Sequence, residues 1–292
     1  MLRLIHISDL HFGPFYVPAV GEALLGAVDR LDADVVVASG DFTQRATVEE
    51  YEQAAAFVDR LPCERVIVTP GNHDVPLYRW WERLTAPHRN YQRHIHKRLN
   101  HTTTVGEATI VSLDSTAPHR AIVNGRLDDW QLDYADKAFA AEPSSRLRIV
   151  VAHHHFAPAP DYERSPTLPN AKQALDRFQR AGVELVLGGH LHRAYVGNSL
   201  DVYAGANREE GMVIAQCGTT TSRRGRARER EKNSFNLIAV TERDITVTHW
   251  MYFSAEETFA PTSRHTFARW ATPRLQPQQD AERDAERHAA KV

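Results

Sequence analysis

The amino-acid sequence predicts an α/β fold in which helices pack against two stacked β-sheets, and three observations carry that expectation. Short apolar runs rich in β-branched residues alternate with helix-period stretches through the first two-thirds of the chain, the rhythm of strands joined by crossover helices. From Tyr195 onward the rhythm changes to consecutive strand-like runs separated by turns, which points to a second sheet completed by the C-terminal third. The composition, 42% hydrophobic and 25% charged over 292 residues, is globular and excludes collagen-like, coiled-coil and wholly disordered classes.

In chain order, residues 3–8 read as a strand and 17–31 as a helix with apolar positions every three to four residues. A strand over 34–39, a helix over 48–61 and a strand over 65–69 follow, then strands at 108–113, 147–152 and 183–187. These runs are continuously apolar rather than alternating, as expected of strands covered on both faces. Helices fill 128–141 and 169–181, the latter with Pro169 in its first turn and Gly182 just past its end. Residues 195–203, 212–216, 235–241 and 245–253 read as further strands. One domain over 1–270 is expected. Residues 271–292 are polar and low in aromatics, so a frayed helix or disordered tail is expected there.

With 35 Lys and Arg against 37 Asp and Glu, the net charge is −2, so no global field attracts nucleic acid or anionic membrane, and neither is an expected partner. No apolar window reaches membrane-span length and the opening strand turns polar at Ser8-Asp9, so a cytoplasmic location is expected. Cys63 and Cys217 have no CxxC partner, which leaves nitrogen and oxygen to hold any metal. Histidine, at 16 residues, is over-represented, and imidazole is the usual side chain for metal ligation and proton transfer near neutral pH. His6, His101, His119, His249, His265 and His288 have no motif around them.

Five loops follow apolar runs, at the carboxyl ends of strands where α/β sheets bind ligands: Asp9-Leu10-His11, Gly40-Asp41, Gly71-Asn72-His73-Asp74, His153-His154-His155 and Gly189-His190-Leu191-His192. Singly each is weak, since a strand-end Asp is as readily a helix cap. Residues two apart in an extended chain project to the same side, so Asp9 with His11, and His190 with His192, can each clamp one ion. Seven candidate ligands exceed one tetrahedral site and suit two ions about 3.5–4 Å apart that share a carboxylate. Carboxylate, carboxamide and imidazole without thiolate suit Mn, Fe, Zn, Co or Ni.

In this order and spacing, Asp9-x-His11, Gly40-Asp41, Gly71-Asn72-His73-Asp74, a later His and Gly189-His190-x-His192 resemble the calcineurin-like metallophosphoesterase superfamily. Within it, spacing and length are most similar to bacterial class III cyclic nucleotide phosphodiesterases and their glycerophosphodiesterase relatives. The resemblance implies a four-layer αββα sandwich of two mixed β-sheets flanked by helices. It also implies two divalent or trivalent transition-metal ions, Mn or Fe foremost, and hydrolysis of small phosphodiesters by a hydroxide held on them. Asp9, His11 and His192 would hold one ion, Asn72, His153 and His190 the other, and Asp41 would bridge.

By the same resemblance His73 lies beside the substrate, donating to a phosphate oxygen or protonating the leaving alkoxide. Asp74 would orient its ring, fixing the tautomer and raising the pKa. His153 is favoured over His154 because it directly follows the apolar run 149–152; His154 is the alternative, and His155 is expected at the pocket rim. A phosphomonoesterase or nuclease of the same superfamily is the enzymatic alternative. A metal-free scaffold is the alternative of another class, disfavoured because it needs neither seven ligands nor His73. A small phosphoester is the expected partner, and a homodimer stays open.

Two segments admit two readings each. Tyr78, Trp80, Trp81, His88, Arg89, Tyr91, Arg93, His94 and His96 form either a cap over the site or, the favoured reading, an ordinary amphipathic helix. The basic run 223–232 is favoured as a solvated hairpin loop; folded toward the ions, Arg223 or Arg224 would clamp a phosphate oxygen.

Overall fold

The structure is a computed structural model that describes residues 1–120, 123–144, 146–158, 166–202, 211–225 and 231–269. The expected tail at 271–292 and residues 226–230 of the basic run lie outside the described residues. In chain order the elements that position the site are β1 (Leu2–Ile7), α1 (Pro18–Leu31), β2 (Val35–Ala38), α2 (Val48–Val58) and β3 (Val66–Val68). Two short helices, α3 (Trp80–Thr85) and α4 (Arg89–His94), precede β4 (His101–Val105), β5 (Ala108–Ser112), α5 (Asp129–Ala140), β6 (Leu147–Val151), α6 (Ala171–Arg180) and β7 (Leu185–Gly188). The remainder is β8 (Tyr195–Asn198), the single turn α7 (Ser199–Val202), β9 (Val213–Gln216), β10 (Ser234–Val240), β11 (Asp244–Phe253) and β12 (Thr258–Ala268).

Two six-stranded mixed sheets form, ordered β12-β11-β10-β1-β2-β3 and β4-β5-β6-β7-β9-β8. The continuous apolar runs are explained by alternation between two buried faces. In β2, Val35 and Val37 point into the core between the sheets while Val36 and Ala38 pack under α1 and α2; in β6, Ile149 and Val151 face the opposite sheet while Val150 packs under α5 and α6. The result is the expected αββα sandwich. Thr47 caps α2 by accepting from the Glu50 N–H at 3.3 Å, while Glu50 accepts from the Thr47 N–H at 3.4 Å, a reciprocal box that starts the helix where the sequence places it.

Three expectations about the elements are corrected and two strands are added. The C-terminal strands do not complete the second sheet: β10 pairs antiparallel with β1, so β10, β11 and β12 extend the first sheet, and only β8 and β9 join the second. The strand expected over 195–203 stops at Asn198 and becomes one helical turn. Helix α6 starts at Ala171, so Pro169 lies before its N-cap Asn170 rather than in its first turn. Strands β4 and β12 were not legible; β12 carries Pro261 opposite a register shift at His249 and Trp250, a placement tolerated on a sheet edge because no ladder donor is needed there. Among the described residues no helix is long and apolar enough to cross a membrane.

Candidate metal centre

The carboxyl ends of β1, β2, β3, β6 and β7 converge, three strands from one sheet and two from the other. The turns that leave them are stitched by main-chain bonds: Asp9 N–H to the Gly40 carbonyl at 3.0 Å, His11 N–H to the Asp41 carbonyl at 2.9 Å, and Gly189 N–H to the His153 carbonyl at 2.9 Å. Five of the seven candidate ligands, Asp9, His11, Asp41, His190 and His192, have left-handed φ between 50° and 74°. Such backbone costs about 1–3 kcal/mol per residue and persists only where the surroundings enforce it, typically at functional sites. Gly71 lets two loops meet, because a Cβ there would stand 2.2 Å from Asp41 Oδ1 and 2.4 Å from the Asp41 nitrogen.

The loops bring all seven residues together. Ligand-type atoms of Asp9, His11, Asp41 and His192 lie within 4.8 Å of one another, and all four residues are buried. His192 Nε2 is 3.2 Å from Asp9 Oδ1 and 3.0 Å from His11 Nε2. On the other side, Asn72 Oδ1 is 2.8 Å from His190 Nδ1 and 3.2 Å from His153 Nε2. Asp41 Oδ2 stands between the two groups, 3.6 Å from His11 Nε2 and 3.4 Å from His153 Nε2.

The outer nitrogens of the rings settle which way the inner ones face. His11 Nδ1 lies 3.3 Å from the Thr43 carbonyl, His153 Nδ1 2.7 Å from the Ser39 carbonyl, and His192 Nδ1 2.7 Å from the Arg224 carbonyl. A carbonyl oxygen only accepts, so each Nδ1 carries a proton, and the rings of His11 and His192 are left to turn an Nε2 lone pair inward. Those lone pairs meet one another and the buried oxygens Asp9 Oδ1 and Asp41 Oδ2, which make no hydrogen bond. Acceptors converging without donors are costly unless a cation sits among them, so the donor set fits metal ions.

The electrostatics agree. Burial pushes the Asp9 and Asp41 carboxyls up, but the surrounding histidines hold both well below the usual carboxylate range. Burial likewise disfavours a charged His153, yet Asp41 and Asp9 beside it raise it to about 9; His11 is instead lowered to about 3 by burial. The centre attracts positive charge.

The neighbouring histidines separate cleanly. His154 is buried with Nδ1 at 2.8 Å from Ser115 Oγ, and its ring centroid is 4.7 Å from that of His190, so it backs the centre while His153 reaches Asp41 and Asn72. His155, expected at the rim, is buried and stacks on His190 at 5.6 Å. His73 is half-buried, with Nδ1 at 2.9 Å from the Gln44 carbonyl and its backbone N–H donating to Asp41 Oδ1 at 2.8 Å.

Asp74 does not orient the His73 ring. Its carboxylate accepts the N–H groups of Gly71, Phe42 and Thr43 and the Thr43 hydroxyl, and so fastens the third loop to the second. The pKa of His73 is lowered rather than raised: burial dominates, Asp41 opposes it, and the Arg224 guanidinium adds to the lowering. Sequence reasoning missed Gln44, whose main-chain carbonyl is the partner of the His73 ring and so leaves no trace in residue identity.

The basic run is not merely a solvated hairpin. Arg223 is exposed, but Arg224 folds inward and its Nη1 donates to His73 Nε2 at 2.8 Å. A cavity of about 270 Å³ opens at this edge, lined among others by Asp41, Gln44, Asn72, His73, Tyr78 and His192. The segment after the third loop forms α3 and α4; α3 buries none of its residues, and Trp80 and Trp81 are both 65% exposed. Tyr78 reaches the cavity, so this segment is at once a short helical pair and one wall of the site.

Comparison with known proteins agrees with this geometry. A probable cyclic nucleotide phosphodiesterase of Synechococcus is 26% identical over 226 residues, covering 70% of this chain and 79% of the relative. The 3′,5′-cyclic adenosine monophosphate phosphodiesterase CpdA of Escherichia coli is 26% identical over 209 residues, 66% of this chain and 70% of the relative. Among solved structures, a purple acid phosphatase from yellow lupin (Lupinus luteus) superposes with a TM-score of 0.70 at 14% identity over 92% of this chain; the chain spans 54% of that protein's length, and the likeness is one of fold. Residues 2–194, which contain every strand end that meets at the centre, match the calcineurin-like phosphoesterase family, and the chain belongs to it.

Proposed function

We propose that the chain is a dinuclear metal-dependent phosphodiesterase acting on small diesters, with cyclic nucleotides as the first substrate class and glycerophosphodiesters as the second. The observation that carries this reading is the position of Asp41 Oδ2 between His11 Nε2 and His153 Nε2, a buried carboxylate oxygen with one imidazole nitrogen on each side. Asp9, His11 and His192 would hold one ion, Asn72, His153 and His190 the other, and Asp41 both. When bound, a metal pair supplies charge neutralisation at phosphorus and a nucleophile at neutral pH by lowering the pKa of water.

The chain's own residues do the rest. His73 presents Nε2 at the cavity edge with its other nitrogen fixed by the Gln44 carbonyl, which orients the ring toward a bound ester. A cavity of about 270 Å³ holds one small ligand, and a net charge of −2 supplies no general attraction for a nucleic-acid polymer. The relatives named above support the cyclic nucleotide class.

The test is a panel on one manganese-replete preparation: bis-aryl phosphate, aryl monophosphate, 3′,5′- and 2′,3′-cyclic nucleotides and glycerophosphodiesters. Cyclic nucleotides are expected to give the highest kcat/KM. Turnover of the monophosphate alone would replace the reading with a phosphomonoesterase.

A further inference from the structure

Arg224 serves the centre twice. Its carbonyl holds His192 Nδ1 at 2.7 Å, and its guanidinium donates from Nη1 to His73 Nε2 at 2.8 Å and to Gln44 Oε1 at 3.0 Å. The guanidinium carbon stands 5.7 Å from the centroid of the Phe15 ring, and the Arg224 N–H reaches Ser222 Oγ at 3.4 Å, so both the backbone and the planar head are placed. His73 and Gln44 both line the cavity, so the guanidinium lies one hydrogen bond from its wall.

We propose that Arg224 recognises a non-bridging oxygen of the phosphodiester, exchanging its hydrogen bond to His73 Nε2 for one to the anion; this rests on the function proposed above. Imidazole and carboxamide are neutral acceptors. A phosphodiester oxygen is charged, and hydrogen bonds between charged partners are shorter and roughly twice as strong, so the exchange runs toward the anion. The His73 Nδ1–H keeps donating to the Gln44 carbonyl, and Nε2, released by Arg224, is left with its lone pair toward the cavity. A free guanidinium at the wall would recruit any phosphate; one resting on His73 couples arrival of the anion to release of the ring.

The test uses the full chain, manganese-loaded, as wild type, Arg224→Gln and Arg224→Lys. Inorganic phosphate binding is measured by calorimetry, together with KM and kcat for a phosphodiester and metal content by elemental analysis. Arg224→Gln is expected to weaken phosphate binding and raise KM about 10- to 100-fold. Arg224→Lys, which keeps the charge without the fork, is expected to fall between. Metal content is expected to be unchanged, since the carbonyl that holds His192 remains. Phosphate affinity within about twofold of wild type, where tenfold corresponds to 1.4 kcal/mol, would overturn the proposal. So would a wild type that binds no phosphate, or loss of metal from Arg224→Gln, which would make the guanidinium a support of the His192 loop. A wild type that binds phosphate but hydrolyses no phosphodiester sinks the proposed function, while the phosphate comparison still decides Arg224.

Discussion

His11 and His192, 181 residues apart in the chain, face each other with their Nε2 atoms 3.0 Å apart. Both outer nitrogens give their protons to main-chain carbonyls, so two lone pairs meet in a buried space that Asp9 Oδ1 also borders. The arrangement is repulsive by itself and becomes stabilising around a cation.

A metal ion bound at this centre is therefore expected to stabilise the folded chain. With free Mn²⁺ at 100 times its Kd, the folded state gains about 2.7 kcal/mol. Scanning calorimetry is expected to show a melting temperature several degrees higher with metal than after chelation. Identical melting curves would contradict a cation at this centre.

Asp41→Asn separates charge from shape. The amide oxygen can still accept the His73 N–H now held at 2.8 Å by Oδ1, but the shared negative charge is gone. Metal stoichiometry is expected to drop by one ion or more, and turnover by about a thousandfold, because several kcal/mol of charge stabilisation are lost. Full turnover in this variant would sink the two-ion assignment.

His73→Ala leaves the main-chain link to Asp41 in place and removes only the ring at the cavity edge. Metal content is expected to stay at the wild-type value while kcat falls about 100- to 10,000-fold. Elemental analysis alongside steady-state kinetics checks both, and a metal-depleted variant would move His73 into the ligand set.

Gly71→Ala tests the close approach of two loops. With φ of −109° and ψ of 177° at this residue, alanine is permitted by the backbone, so any loss comes from the contact with Asp41. A destabilisation of about 1–3 kcal/mol is expected in urea titrations, together with weaker metal binding. Wild-type stability would mean the loops can part at no cost.

Acid stability depends in part on His101, buried in β4 away from the centre. Burial, with the neighbouring His96 and Arg98, lowers its pKa from 6.5 to about 4. Between those values the unfolded chain binds a proton that the folded ring refuses, so stability falls as pH drops from about 6.5 to about 4, by up to about 3 kcal/mol. His101→Gln is expected to lose less stability than wild type between pH 7 and pH 4.5. An equal loss in both would assign the acid sensitivity elsewhere.

Much of the fold was legible because its strands are short and doubly buried. Runs such as Val35-Val36-Val37 and Ile149-Val150-Val151 have no polar position to interrupt them, and the helices between them keep their spacing. Strands β4 and β12 were hidden for the opposite reason: they are edge strands with exposed, polar and Pro-containing sequences, whose pairing is decided by the neighbour they meet. The return of β10 to β1 was equally invisible, since strand order is a long-range choice.

The sequence by itself determined which chemistry the chain can carry. Five loops at strand ends, with carboxylate, carboxamide and imidazole but no thiolate, restrict the centre to nitrogen and oxygen ligands, and that follows from local pattern alone. Only the tertiary structure decided what each group does. It turned His153 toward Asp41 and His154 toward Ser115, gave Asp74 to the backbone of a neighbouring loop instead of the His73 ring, and brought Arg224 from a loop 151 residues away onto that ring. Hydrogen bonds to main-chain carbonyls and contacts between distant loops leave no trace in residue identity, so proton placement and ring orientation emerge only when the two sheets stack.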